Sequence, residues 1–209
     1  MLQVVDFILH FDQHLGFFIQ NYGVLVYGIL FLIVFIETGL VVMPFLPGDS
    51  MLFIAGAFAA AGLLDIRLLI AILFIAAVVG DASNYWIGKF FGEKVFMKFI
   101  KPAHIDKTKV FYEKHGKKTI VIARFVPIVR TIAPFVAGVG KMEYSTFLAY
   151  NLVGGFLWVF AFVLGGYLFG NIPWVKENVT LISLLIIAVS LIPVFVSWIS
   201  GRRKKWSDG

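Results

Sequence analysis

The chain has 209 residues, 60% hydrophobic and only 14% charged, where a soluble domain would carry about a quarter charged residues. A water-soluble globule is excluded and an integral, all-α polytopic membrane protein is expected. There is no cysteine, which excludes disulfides and thiolate metal sites, and the net charge of +6 is distributed in a way that argues against nucleic acid as a partner. Of the 18 Lys and Arg residues only Arg67 precedes Lys89; nine lysines crowd into 89–118, and Arg202, Arg203, Lys204 and Lys205 close the chain. That is the positive-inside pattern, with contact to acidic lipid as its alternative.

In chain order, residues 1–22 contain no Lys or Arg. They lack the basic n-region and small-residue cleavage site of a signal peptide, so they are expected to remain, as an amphipathic helix. His10 and His14 stand one helical turn apart near Asp6. Without a third ligand on a fixed scaffold no metal is expected there; the pair is placed on the polar side of the helix that carries Phe7, Phe11, Leu15 and Phe18. His104 and His115, in the lysine-rich segment, are expected to be solvated.

The apolar stretches run over about 24–43, 51–64, 68–88, 119–139, 146–170 and 179–200. The third, fifth and sixth are long enough to cross roughly 30 Å of hydrocarbon. The second is short, and the fourth, "ARFVPIVRTIAPFVAG", holds Arg124 and Arg130 with Pro127 and Pro134. If the 89–118 loop and the basic tail both face the cytoplasm, an even number of crossings joins them, yet three apolar stretches intervene. The stretches at 146–170 and 179–200 carry no charge, so 119–139 is the one expected to enter and leave on the same side. Its two prolines lack amide donors and break the helix, and broken backbone at membrane depth survives only shielded by protein or beside a wet cavity.

The first half looks like a distorted copy of the second. "PFLPGDSMLFIAG" sets Phe45, Leu46 and Pro47 ahead of Ala55 and Gly56, as "RFVPIVRTIAPFVAG" sets Phe125, Val126 and Pro127 ahead of Ala137 and Gly138. "FIQNYG" and "FYEKHG" each close an amphipathic stretch on a glycine before an apolar run. The expectation is two inverted repeats, each an amphipathic helix, a re-entrant broken hairpin and a transmembrane helix. Residues 1–92 form the first (hairpin about 24–64, helix about 68–88) and 93–170 the second (hairpin about 119–139, helix about 146–170). A C-terminal transmembrane helix and basic cytoplasmic tail occupy 171–209. A hairpin at 24–64 places residues 1–22 outside; a spanning helix at 24–43 would place them in the cytoplasm.

Glu37, Asp49, Arg124 and Arg130 all fall in the two hairpins, and Asp81 lies in the third stretch. Each ionised group at mid-bilayer costs roughly 2.5–3.5 kcal/mol, so the acids of one hairpin are expected to compensate the arginines of the other around a polar cavity. The alternative is that the pairs only tie the hairpins together. Arg124 and Arg130 present permanently charged, forked donors suited to a phosphate, and so are candidates for binding an anionic headgroup. Glu37 and Asp49 can titrate, burial and a neighbouring arginine acting on a carboxyl in opposite senses, and are candidates for proton coupling. Along "GDASNYWIGKFFG", Gly80, Gly88 and Gly92 suit close helix packing, while Asp81, Tyr85 and the prolines Pro47, Pro127 and Pro134 are candidates for lining or supporting the cavity.

Glu37 followed by "PFLPGD", then "GDxxxYxxGxxxG" over Gly80 to Gly92, then "ARFVPIVRTIAPFVAG" resembles the DedA family of SNARE-associated or VTT-domain proteins, bacterial inner-membrane proteins related to eukaryotic lipid scramblases. The resemblance covers nearly the whole chain. It implies two re-entrant hairpins of opposite orientation, a lipid-transport role that depends on the proton motive force, and undecaprenyl phosphate or another phospholipid as substrate. The family's important acidic residues fall on Glu37 and Asp49 and its important arginines on Arg124 and Arg130. The expected function is thus a proton-coupled lipid flippase or scramblase supporting envelope integrity, with membrane lipids and protons as partners and no cofactor or metal. A proton-coupled antiporter of small ions or drugs, and a non-transporting envelope scaffold, are the alternatives. An enzyme is not expected, because no histidine lies in the membrane stretches to build a phosphohistidine or a Ser–His dyad. Glycine-rich helix faces leave a homodimer open.

Overall fold

The computed structural model describes residues 22–40, 48–99, 116–170 and 172–173, without the side chains of 93–99 and 127–128. The expected N-terminal amphipathic helix, Pro47, most of the lysine-rich segment, the C-terminal helix at 179–200 and the basic tail lie outside the described residues. Among those described the secondary structure is helical throughout, without a strand.

Helix α1 (Leu25–Gly39) turns Val26, Leu30, Val34 and Glu37 inward and ends where Leu40 becomes extended. Helix α2 (Gly48–Ala60) begins beyond 41–47 with Asp49 in its first turn. Asp65 then starts α3 (Ile66–Phe99): its Oδ1 accepts from the amides of Arg67 at 2.8 Å and Leu68 at 2.9 Å, satisfying two of the amides a helix start leaves unpaired. At 34 residues α3 is about 51 Å long, well beyond the 68–88 expected. A single 3-10 turn (Gly116–Lys118) leads into α4 (Thr119–Ala123), only five residues long.

The chain breaks at Arg124–Val126, where Val126 is extended as a residue before proline must be. Pro127 then opens α5 (Pro127–Val139), the position where its missing amide costs nothing. The expectation that Pro134 also breaks the segment is corrected: α5 runs through it. A proline ring already holds the helical φ, and Phe135, Ala137 and Gly138 beyond it are packed against α3, which offsets the single lost hydrogen bond. After a turn with Lys141 at positive φ, α6 (Tyr144–Phe169) runs 26 residues.

Two helices, over Ile66–Gly92 and Tyr144–Phe169, are long and apolar enough to cross a membrane, whereas α1, α2 and α5 are apolar but shorter. The outer faces carry exposed Leu25, Leu32, Leu68, Ile75, Phe90, Leu152, Val153, Phe156 and Leu168, far more contiguous apolar surface than a soluble monomer shows. The chain is a membrane protein with transmembrane helices.

The helices sort by parity. Both α1 and α5 pack chiefly against α3, while α2 and α4 pack chiefly against α6. Helices α1 and α2, expected as the arms of the first hairpin, barely touch each other. Two backbone approaches hold the tightest pairs. In α2–α6, a side chain on Gly56 would strike the Val163 carbonyl and one on Gly166 the Phe53 carbonyl. In α3–α5, Gly88 faces the Phe135 carbonyl and Gly138 the Tyr85 carbonyl in the same way. Reciprocal glycines let each pair close to backbone contact.

Candidate functional site

The four hairpin charges and Asp81 meet where the short helices end against α3 and α6. Arg130, one turn into α5, extends its fork in two directions. Nη2 pairs with Glu37 Oε1 of α1, and Nη1 pairs with Asp49 Oδ1 of α2 at 2.7 Å. Glu37 is fully buried, Arg130 nearly so, and the Asp49 side chain is 14% exposed, the most open of the three. Glu37 also lies directly over Gly48, where any side chain would meet its carboxylate; a glycine is needed to let α2 begin this close to α1.

Arg124, at the break between α4 and α5, is buried in a second cluster. Its Nη2 reaches Asp81 Oδ2 of α3 at 2.5 Å, Asn151 Oδ1 of α6 at 2.5 Å and the Ala77 carbonyl at 3.4 Å. Asn151 in turn donates to the Val78 carbonyl at 3.0 Å, so the guanidinium closes a ring of contacts between α3 and α6. Both acids of the first hairpin therefore serve Arg130, and Arg124 takes its carboxylate from the spanning helix α3.

Trp158 of α6 stands between the clusters. The Arg130 guanidinium carbon is 5.1 Å from its ring centre and that of Arg124 5.9 Å, within cation–π range. Its indole N–H donates to Asp49 Oδ1 at 2.8 Å, the same oxygen that accepts from Arg130. On the other side, Asn84 of α3 donates to the Thr131 carbonyl of α5 at 2.8 Å and the Thr38 carbonyl of α1 at 3.2 Å, tying three helix segments together beneath Glu37.

Three carboxylates thus face two guanidiniums, and several buried atoms, among them Glu37 Oε2, Asp81 Oδ1, Asn84 Oδ1, Arg124 Nε and Arg130 Nε, make no hydrogen bond among the described residues. Tyr85 lies apart: it stacks on Phe147 at 4.6 Å and donates to the Met142 carbonyl, bracing the turn before α6. Gly88 and Gly92 face α5, as packing glycines. Pro127 positions the helix that carries Arg130, and Pro134 lies one turn beyond that arginine. Asn151 and Trp158 were missed as site residues. The signal available was an amide in an uncharged spanning stretch, and an indole at its middle instead of at a membrane interface.

The VTT domain model matches residues 46–168, more than half of the chain. The chain belongs to the VTT-domain (DedA) family. It is 54% identical over 206 residues to Protein DedA of Escherichia coli (strain K12), covering 96% of this chain and 94% of that protein. A protein of Mycobacterium tuberculosis (strain ATCC 25618 / H37Rv) named as an uncharacterized membrane protein is 45% identical over 176 residues, 81% of this chain and 77% of that one. Inner membrane protein YghB of Escherichia coli (strain K12) is 33% identical over 173 residues, 80% and 79% respectively. No solved structure matches. The mycobacterial relative and YghB are named as membrane proteins, and none of the three names states a substrate.

Proposed function

We propose that this protein is a proton-motive-force-dependent lipid transporter, a flippase or scramblase for an anionic lipid such as undecaprenyl phosphate. The observation that carries the reading is the forked Arg130, held by two carboxylates from two different short helices, with Asp49 the more open. A guanidinium fork that fits a carboxylate pair also fits a phosphate. A phosphate at Arg130 would displace one or both acids, and a displaced carboxylate at membrane depth is stabilised by taking a proton. Substrate and proton are thereby linked at one residue, with Arg130 as the headgroup-binding residue, Glu37 and Asp49 as the proton-coupling pair, and Arg124, expected to bind the headgroup as well, held by Asp81 and Asn151 at the fixed end of the site.

The remaining expectations belong to the same proposal. The exchange of helix partners, α1 and α5 on α3 against α2 and α4 on α6, supports α1–α3 and α4–α6 as inverted repeats, with the site at their interface as in many secondary transporters. The relatives named as inner membrane proteins support a multi-pass protein of a bacterial inner membrane, its C-terminus placed in the cytoplasm by the basic tail. Membrane lipid and protons are the partners, and no catalytic role is assigned.

The test is transbilayer movement of undecaprenyl phosphate in proteoliposomes, wild type against Arg130→Ala, with and without an imposed pH gradient. Movement that needs both the arginine and the gradient is expected. Movement indifferent to the gradient would make the protein a passive scramblase and the carboxylates structural. If Arg130→Lys and Glu37→Gln both leave movement intact, the scheme fails.

A further inference from the structure

The two sets of helices meet along a seam, and the polar contacts fall unevenly on it. Within the odd-numbered set lie Arg130–Glu37 and both Asn84 contacts. Within the even-numbered set lies Trp158–Asp49. Crossing between the sets at one end are Arg124–Asp81, Arg124–Ala77 and Asn151–Val78, closed on themselves because Asn151 also accepts from Arg124. At the other end Arg130–Asp49 crosses, and its acceptor oxygen is shared with Trp158.

These two crossings differ in what happens when they part. Opening at Arg124 leaves the guanidinium its amide partner Asn151 but takes away Asp81, the one carboxylate it pairs with. Opening at Arg130 leaves each group a hydrogen-bond partner: the arginine keeps Glu37 within its own set, and Asp49 keeps the indole N–H within its own while giving up its counter-charge. The reciprocal glycine contacts of α3–α5 and α2–α6 lie inside the sets and need not change.

We propose that the Arg130–Asp49 contact is the latch that opens between the two helix sets, and that Trp158 is the positioning residue that holds Asp49 on α6 while Arg130 turns to an anion. The latch rests on the transport reading for its purpose, though not for its geometry. Trp158 retains the carboxylate on the even set, leaves Arg130 paired to Glu37 alone, and offers its ring face to the freed guanidinium. The two arms of the first hairpin, already nearly out of contact, separate with the sets to which they belong.

The chain has no cysteine, so introduced thiols can be spin-labelled singly or in pairs. One pair, Leu32→Cys with Ile75→Cys, lies within the odd set; another, Ile75→Cys with Leu157→Cys, spans the seam, and all three positions are exposed. Distances are measured in phosphatidylcholine nanodiscs. Asp49→Asn and Arg130→Gln are each expected to add a longer-distance population to the spanning pair and leave the internal pair unchanged. Trp158→Phe, which keeps a ring but frees the shared oxygen for Arg130, is expected to add none. Spanning distances indifferent to Asp49→Asn and Arg130→Gln, or a shift of both pairs together, would overturn the latch. A longer population in Trp158→Phe would overturn the assignment of Trp158, since a merely structural tryptophan loosens the seam when truncated. Phosphatidic acid in place of phosphatidylcholine is expected to open the wild-type seam. If it does not while Asp49→Asn still does, the latch stands and the lipid-phosphate reading falls.

Discussion

Arg124 and Arg130 belong to one short stretch of chain, and the fold treats them in opposite ways. Arg124 sits at the break, 1% exposed, with a single carboxylate at 2.5 Å and an amide that is itself tied down. Arg130 sits inside a helix, divided between two carboxylates on two helices, one of them partly open. The first arrangement neutralises a charge and fixes the position of the break. The second leaves the arginine a choice of partners. A protein that keeps both therefore separates fixing the position of a broken helix from holding an arginine between two acids on two helices.

The largest expected effect falls on the fixed arginine. Asp81→Ala leaves the Arg124 guanidinium buried without its counter-charge, a loss of about 3–5 kcal/mol for a broken buried pair. It should appear in detergent as loss of folded protein and a lower unfolding temperature. Arg130→Lys should do the reverse: a protein that folds but loses transport by more than about tenfold, because a point-charge ammonium cannot span two carboxylates and one charge-assisted hydrogen bond is worth about 1.5–3 kcal/mol. If Arg130→Lys unfolds the chain as badly as Asp81→Ala, the contrast is gone. Asn151→Ala is next, at about 1–3 kcal/mol for the groups left unsatisfied, and its effect should fall on stability with little change in transport rate per folded molecule. Smallest is Lys89→Ala: the ammonium lies 4.8 Å from the Trp86 ring on an exposed surface, worth about 0.5–1 kcal/mol, and both arginine clusters should be untouched by it.

The helices that frame this contrast could be read from the sequence, the contrast itself could not, and the unread part has a physical reason. Local rules act within a few residues, so Pro127 announced the break, which falls at Arg124–Val126. Gly88 and Gly92 announced a close helix contact. The apolar lengths separated α3 and α6 from the shorter helices. Hydrophobic pattern says nothing of partner choice across long separations, and so the acids of the first hairpin were assigned to both arginines when both serve Arg130. The bonds that decide this join residues 93 and 81 apart, Arg130 to Glu37 and to Asp49. Pro134 misled for a different reason: its cost is fixed and local, but the packing of α5 on α3 that offsets it is tertiary.

The sorting of helices by parity has a consequence for how the molecule is made. Synthesis delivers α1, α2 and α3 in order, and of these α2 has its main packing partner in α6. The Phe53 carbonyl waits for Gly166, and Asp49 waits for both Arg130 and Trp158. Until α6 has been made, a short helix with a carboxylate in its first turn lacks its main packing partner among the described helices. Such a segment rests most cheaply at the membrane surface, where water still solvates its charge. The packing of α2, and with it the Asp49 end of the site, is therefore completed only by the part of the chain that is made last among the described helices.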